Sequence, residues 1–171
     1  GRSSFEKTYD GYVKYKFLRQ STGKRNMPLS AALLVTSAIN TLRWENPDRE
    51  NYFSSRLAYT TQLILGRKFN ESFSLQLSPT MVHRNLVKTN IEENDVYALG
   101  VGTRVKLSKR VAINGEYIYL LPDQVASGIE NCLSVGLDIE TGGHVFQLHF
   151  SNSRSMIEKG FVAETTGKWD T

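Results

Sequence analysis

Apolar residues recur at every second position along much of the chain. Val13, Tyr15 and Phe17 alternate with Lys14 and Lys16, and Phe53, Leu57, Tyr59, Leu63 and Leu65 alternate with Ser54, Arg56, Thr60 and Gln62. Phe73, Leu75 and Leu77 alternate with Ser74, Gln76 and Ser78. Tyr97, Leu99, Val101, Val105 and Leu107 alternate with Gly100, Gly102, Arg104 and Lys106. Val111, Ile113, Tyr117 and Tyr119 alternate with Asn114 and Glu116, and Leu33, Val35 and Ile39 repeat the pattern less cleanly. Period two with one apolar side is the signature of a half-buried strand. Two further strands follow, one on each side of Gly142–Gly143, making eight candidates.

Connection lengths and register agree with this reading. "NES", "SKR" and "GG" are tight; "STGKRN" is fairly short; "TLRWENPDREN", "NLVKTNIEEND", "LPDQVASGIEN" and "SNSRSMIEKG" are long. Short and long connections alternate, the layout of an up-and-down barrel with short turns at one end and long loops at the other. Paired residues across a hairpin share a face. A two-residue turn therefore flips the parity of the apolar positions, and a three-residue turn keeps it. In "DIETGGHVFQLHF" the apolar parity flips across Gly142–Gly143, which sets Ile139 opposite Phe146, Leu137 opposite Leu148 and Val135 opposite Phe150. Parity is kept across "NES" (Phe69 with Phe73) and across "SKR" (Leu107 with Val111). A one-residue slip would invert a whole face.

The fold class expected is thus all-β: an antiparallel, up-and-down transmembrane β-barrel. Residues 1–171 are expected to form a single barrel domain, cut at both ends, because "GRSSFEKTYDG" reads as opening mid-structure and "TTGKWDT" as a strand beginning. The direction of the faces follows from composition. The polar side is rich in Ser, Thr, Gln, Asn and Gly, as a wet lumen is. Phe17, Phe69, Phe73 and Phe146 gather by the short turns, and Trp44, Tyr52, Phe53, Tyr97 and Tyr119 toward the long loops, like two interfacial girdles. Lipid-facing positions are then Leu57, Tyr59, Leu63, Leu65, Leu75, Leu77, Leu99, Val101, Ile113, Tyr117, Leu137, Phe146 and Leu148. Lumen-lining positions are Lys14, Lys16, Arg56, Gln62, Gln76, Arg84, Arg104, Lys106, Glu116, Asp138, Glu140, Gln147 and His149. With Lys68, the inward charges are seven positive against three negative, a net +4 that favours anions if the pore is open. In the alternative the charges pair and plug the barrel, with Glu116 in reach of Arg104 across the "SKR" hairpin.

The stretches "DIETGGHVFQLHFSNSRSMIEKGF" and "FSLQLSPTMVHRNLV" resemble an uncharacterised outer-membrane β-barrel family of Bacteroidetes-type bacteria, a domain of unknown function. The likeness runs from "KYKFLRQSTG" to "ETTGKW". It implies an outer-membrane location, strands before Gly1 and after Thr171, and about a dozen strands in a full member, between filled small barrels and open porins. It implies no activity.

Overall composition adds little. Net charge is +4 over 171 residues, with no like-charge run to build a nucleic-acid stripe, and the single Cys132 allows no internal disulfide. The run "MPLSAALLVTSAI" is too short for a spanning helix. No reaction is legible. His149 and Ser151 share a strand face, but on the polar side with Gln147, unlike the lipid-facing pair of some outer-membrane lipid hydrolases. His83 and His144 have no metal spacing, so neither cofactor nor metal is expected. "GVG" at Gly100–Gly102 lacks the helix a phosphate loop needs. "NES" matches a glycosylation pattern but is required as a turn. The expected partner is the lipid bilayer, with other outer-membrane or periplasmic proteins as candidates. The function read first is a passive channel for small, anionic solutes. Its rivals are a non-conducting barrel that scaffolds a complex and a soluble lipocalin-like carrier of an apolar ligand.

Overall fold

The computed structural model describes residues 1–24, 26–44 and 46–169. Eight strands form one antiparallel sheet in chain order, a half-barrel. They are β1 (Thr8–Leu18), β2 (Ser30–Asn40), β3 (Leu57–Lys68), β4 (Phe73–Arg84), β5 (Asp95–Lys106), β6 (Val111–Leu120), β7 (Cys132–Glu140) and β8 (Val145–Ser151). A short helix, α1 (Glu158–Ala163), follows β8. No described helix is long and apolar enough to cross a membrane, but β1 to β7 have the length a tilted transmembrane strand needs, about 9–11 residues. The sheet's two edges, β1 and β8, do not pair with each other. In lipid each edge must find a strand partner.

The three tight turns set the register predicted from parity. Ile139 lies opposite Phe146, Leu137 opposite Leu148, and Val135 opposite Phe150. The turn closes through Thr141 N–H to His144 C=O at 2.9 Å, and its positive φ falls on Gly142 (62°), where a two-residue II′ turn wants glycine. The other two turns are organised by a side-chain oxygen at their start. Asn70 Oδ1 accepts from the N–H groups of Ser72 and Phe73, both at 2.8 Å. Ser108 Oγ accepts from Arg110 at 3.2 Å and Val111 at 3.1 Å. These are the local bonds that favour Asn and Ser in turns.

Register also sorts the side chains into faces. Tyr15, Leu33 and Leu63 follow one another on one face, as do Leu65, Leu77, Val101 and Tyr117. This face stays exposed: Val13 is 72 %, Tyr117 41 % and Phe150 65 % accessible. The opposite face is inside the curve and holds the buried residues, among them Ala38, Thr60, Gln62, Ser78, Val96 and Ile118. One bulge near Phe17, where pairing jumps between Lys16 and Leu18, turns Leu18 away from the inner face.

The segment after β8 does not behave as the long loop its sequence suggests. It turns back into the half-barrel, and α1 packs across β3, β4 and β6. Val162 and Ala163 complete a buried cluster with Val82, Val96, Ala98, Ile118, Leu120 and Cys132. A helix of six residues has little stability of its own, so this apolar seat is what orders it. Asn152 starts the return: its Nδ2 donates to the carbonyls of Asn131 and Gly167, both at 3.0 Å, and its Oδ1 accepts from Leu133 N–H at 2.9 Å. Glu130 N–H to Thr165 C=O at 2.8 Å fixes the far end.

Candidate functional site: the inner face

The inner face divides across the strands. Its long-loop half holds the buried apolar cluster, with Arg84, Thr8 and Thr60 at its margin, and is covered by residues 152–167. Lys159, nearly buried on α1, lies 3.5 Å from Glu6 Oε2 and 3.1 Å from Glu164 Oε1. This ties the covering segment to the chain just ahead of β1. Burial pushes the Glu164 carboxyl up from its ordinary value, a shift that Glu6 adds to and that Lys159 and, more weakly, Arg84 oppose. Arg84 is buried beside it and donates to Glu93 C=O at 2.8 Å. The Arg84 Nε and the hydroxyls of Thr8 and Thr60 have no hydrogen-bond partner among the described residues.

The short-turn half is polar. Successive rungs carry Gly66, Gln76, Gly102, Glu116, Ser134 and Ser151, then Lys68, Ser74, Arg104, Asn114, Gly136 and His149. Gln76 bonds Ser78 at 3.0 Å, and the buried Gln62 bonds Thr80 at 2.9 Å. Asp138 is buried, accepts from Gln147 at 3.0 Å and pairs with Arg104 at 3.4 Å. Arg104 therefore serves Asp138, two strands away, and not Glu116 as the hairpin geometry suggested. Glu116 sits opposite Gly102 and has no ion-pair partner among the described residues. Lys14, Lys16, Lys68, Lys106, Glu140, Gln147 and His149 are exposed on this face.

One residue expected on the lumen wall lies elsewhere. Arg56 ends a 3-10 turn (Phe53–Arg56) before β3. Its guanidinium lies 3.9 Å over the Trp44 ring and donates to the carbonyls of Asn40 (2.9 Å) and Leu42 (2.6 Å). It braces a loop. The predicted lipid-facing residues lie on the outer face by register; Leu57 opens β3 opposite Ile39, and Leu75 pairs with Thr103.

Two features escaped the sequence reading. His83 Nδ1 lies 2.6 Å from Asp95 Oδ1 on the outer face, with the Tyr59 ring stacked at 6.4 Å. Pairing of β4 with β5 makes this dyad, and spacing along the chain hides it. The second is the covering segment, whose signal was present. Val82, Val96, Ala98, Ile118 and Leu120 break the alternation by adding apolar residues on the polar side. Such runs mark strands covered on both faces. His149 and Ser151 share the inner face without bonding each other: Ser151 Oγ bonds Ser134 Oγ at 2.9 Å, and the His149 ring lies against Gly136.

An open sheet with an apolar convex face, transmembrane-length strands and a polar, charged hollow is the wall of a membrane β-barrel. The chain belongs to the family described as "Membrane bound beta barrel domain (DUF5777)", whose model matches residues 1–171. No curated protein and no solved structure matches the chain. The soluble-carrier reading needs the large apolar side chains inside, and the sheet carries them outside in a membrane-bound family.

Proposed function

We propose that the domain forms part of the wall of a bacterial outer-membrane barrel that passes small solutes, anions ahead of cations, and whose long-loop end is narrowed by residues 152–167. The supporting observation is the division of the inner face. Lys14, Lys16, Lys68 and Lys106 have no ion-pair partner among the described residues, whereas the acid Asp138 is neutralised by Arg104. A hollow with unpaired amines and few free carboxylates attracts anions. In this reading selection is by charge and size, and the domain catalyses no reaction. It needs neither cofactor nor metal.

Planar-bilayer recording on the full chain tests the proposal. The expected result is a small, anion-selective conductance that grows when Val162→Asp unseats α1. Silence in both proteins would contradict it. The seal around Val162 favours a second reading, a closed barrel that scaffolds membrane or periplasmic partners. A companion protein co-purifying with a silent barrel in mild detergent would support that one.

A further inference from the structure

Charge is distributed unevenly between the two ends of the sheet. Among described residues, the four short connections carry four cations and one anion, whereas the three long connections between strands carry four cations and six anions. The strand ends keep the contrast, since Arg67, Lys68 and Lys106 lie at the short-turn end against the single acid Glu140. One of these cations sits among aromatic rings on the outer face. Arg67, opposite Leu75, lies 4.9 Å over the Phe69 ring, and Phe69 packs on Phe73 at 5.5 Å. Arg67, Lys109 and Arg110 have no carboxylate partner among the described residues. At the Ser108–Arg110 turn a notch of about 40 Å³ is lined by Arg104, Lys106, Ser108, Lys109 and Arg110 with Asp138 and Glu140.

We infer that this short-turn rim docks anionic phospholipid headgroups of the leaflet it faces. The aromatic residues place the rim where acyl chains give way to phosphates. Unpaired guanidinium and ammonium groups there meet the phosphate oxygens, with Arg offering a fork and Lys a point charge. The long connections between strands, with more carboxylates than cations among the described residues, offer no such surface. The inference rests on the chain being membrane-bound and not on conduction, so a silent barrel leaves it standing.

The test is native mass spectrometry of the full chain in detergent with an equimolar mixture of phosphatidylglycerol and phosphatidylcholine. The expected result is preferential retention of phosphatidylglycerol. Replacing Arg67, Lys109 and Arg110 by Gln lowers that preference by about tenfold, since each basic residue near an anionic surface contributes appreciably. Replacing Arg43, Arg49 and Lys88 on the opposite rim leaves it unchanged. Retained circular dichroism shows that the variants are folded. For the parent protein alone, raising ionic strength from about 0.05 to about 0.5 M abolishes the preference, because screening then acts within a few ångströms. Equal retention of both lipids by the parent, or a preference indifferent to the short-turn substitutions, overturns the inference. So does full displacement of phosphatidylglycerol by inorganic phosphate, which would mark a free-phosphate site.

Discussion

The two halves of the inner face are built from the same strands and do opposite things. Toward the long loops, Val82, Val96, Ala98, Ile118 and Leu120 turn aliphatic side chains inward and seat α1. Toward the short turns, the same strands present Gln76, Gly102, Arg104, Asn114 and Asp138, and no other described segment packs on them as α1 does on the other half. A strand's inner face is thus not one environment. The backbone only fixes that every second residue points inward; the side chain chosen at each height decides whether that level is filled or wet.

The sharpest way to break the contrast is to put a charge into each half. Val162→Asp buries a carboxylate in a fully enclosed aliphatic seat and should unseat α1 at about 3 kcal/mol or more. Ser74→Asp on the polar half should cost about 0.5 kcal/mol or less. Limited proteolysis within residues 152–167 reads the first and urea unfolding the second. Small-to-large changes give the next largest contrast. A Cβ added at Gly160 would collide with Cβ and Oγ of Ser155 inside the return segment. Gly160→Ala should loosen the segment by about 1–3 kcal/mol. At Gly136 an added Cβ would come within 2.7 Å of His149 Nδ1, the end of an exposed side chain that can swing away. Gly136→Ala should therefore cost less, and comparing the thermal midpoints of the two variants tests the order.

Smaller effects come from the ion pairs. Lys159→Gln removes the links to Glu6 and Glu164 and should release the segment by about 1 kcal/mol, because the pairs are only partly enclosed. Protease sensitivity confined to residues 152–167 checks this. Glu164 adds a pH dependence. Its carboxyl is raised by burial, so the docked segment binds a proton more tightly than the released one. Docking is then favoured at low pH and weakens as pH rises through the raised value. Glu6, Lys159 and Arg84 face the same group and set the size of the effect. Glu164→Gln should flatten the dependence of proteolysis on pH above the ordinary Glu range.

Legibility in the sequence followed the same division. The strands, their order and three hairpin registers were readable because alternation and turn length constrain each other, as at Ile139 opposite Phe146. The polar half of the inner face was readable for the same reason. The covered half was not, since the regular alternation of odd-numbered residues masks Val82, Val96 and Ile118 between them, which carry the information. Arg56 was misplaced because Phe53 shares the odd parity of Leu57 and Tyr59, so the alternation runs on through residues that fold as a 3-10 turn of period three. The Arg104–Asp138 pair skips a strand, and pairwise hairpin reasoning does not reach that far.

Even-numbered positions of β1 to β7 face inward, wet in one half and covered in the other, and the apolar face stays outside. β8 inverts that parity, so Gln147 and His149 are inner and Phe146 and Leu148 outer. The direct measurement is thiol labelling in native membranes with a water-soluble reagent, after Cys132→Ala, of single cysteines at Gln147, His149, Phe146, Leu148 and Ala98. This arrangement predicts labelling at 147 and 149 and none at 146, 148 or 98. Labelling at 146 and 148 in place of 147 and 149 would invert the faces and contradict it.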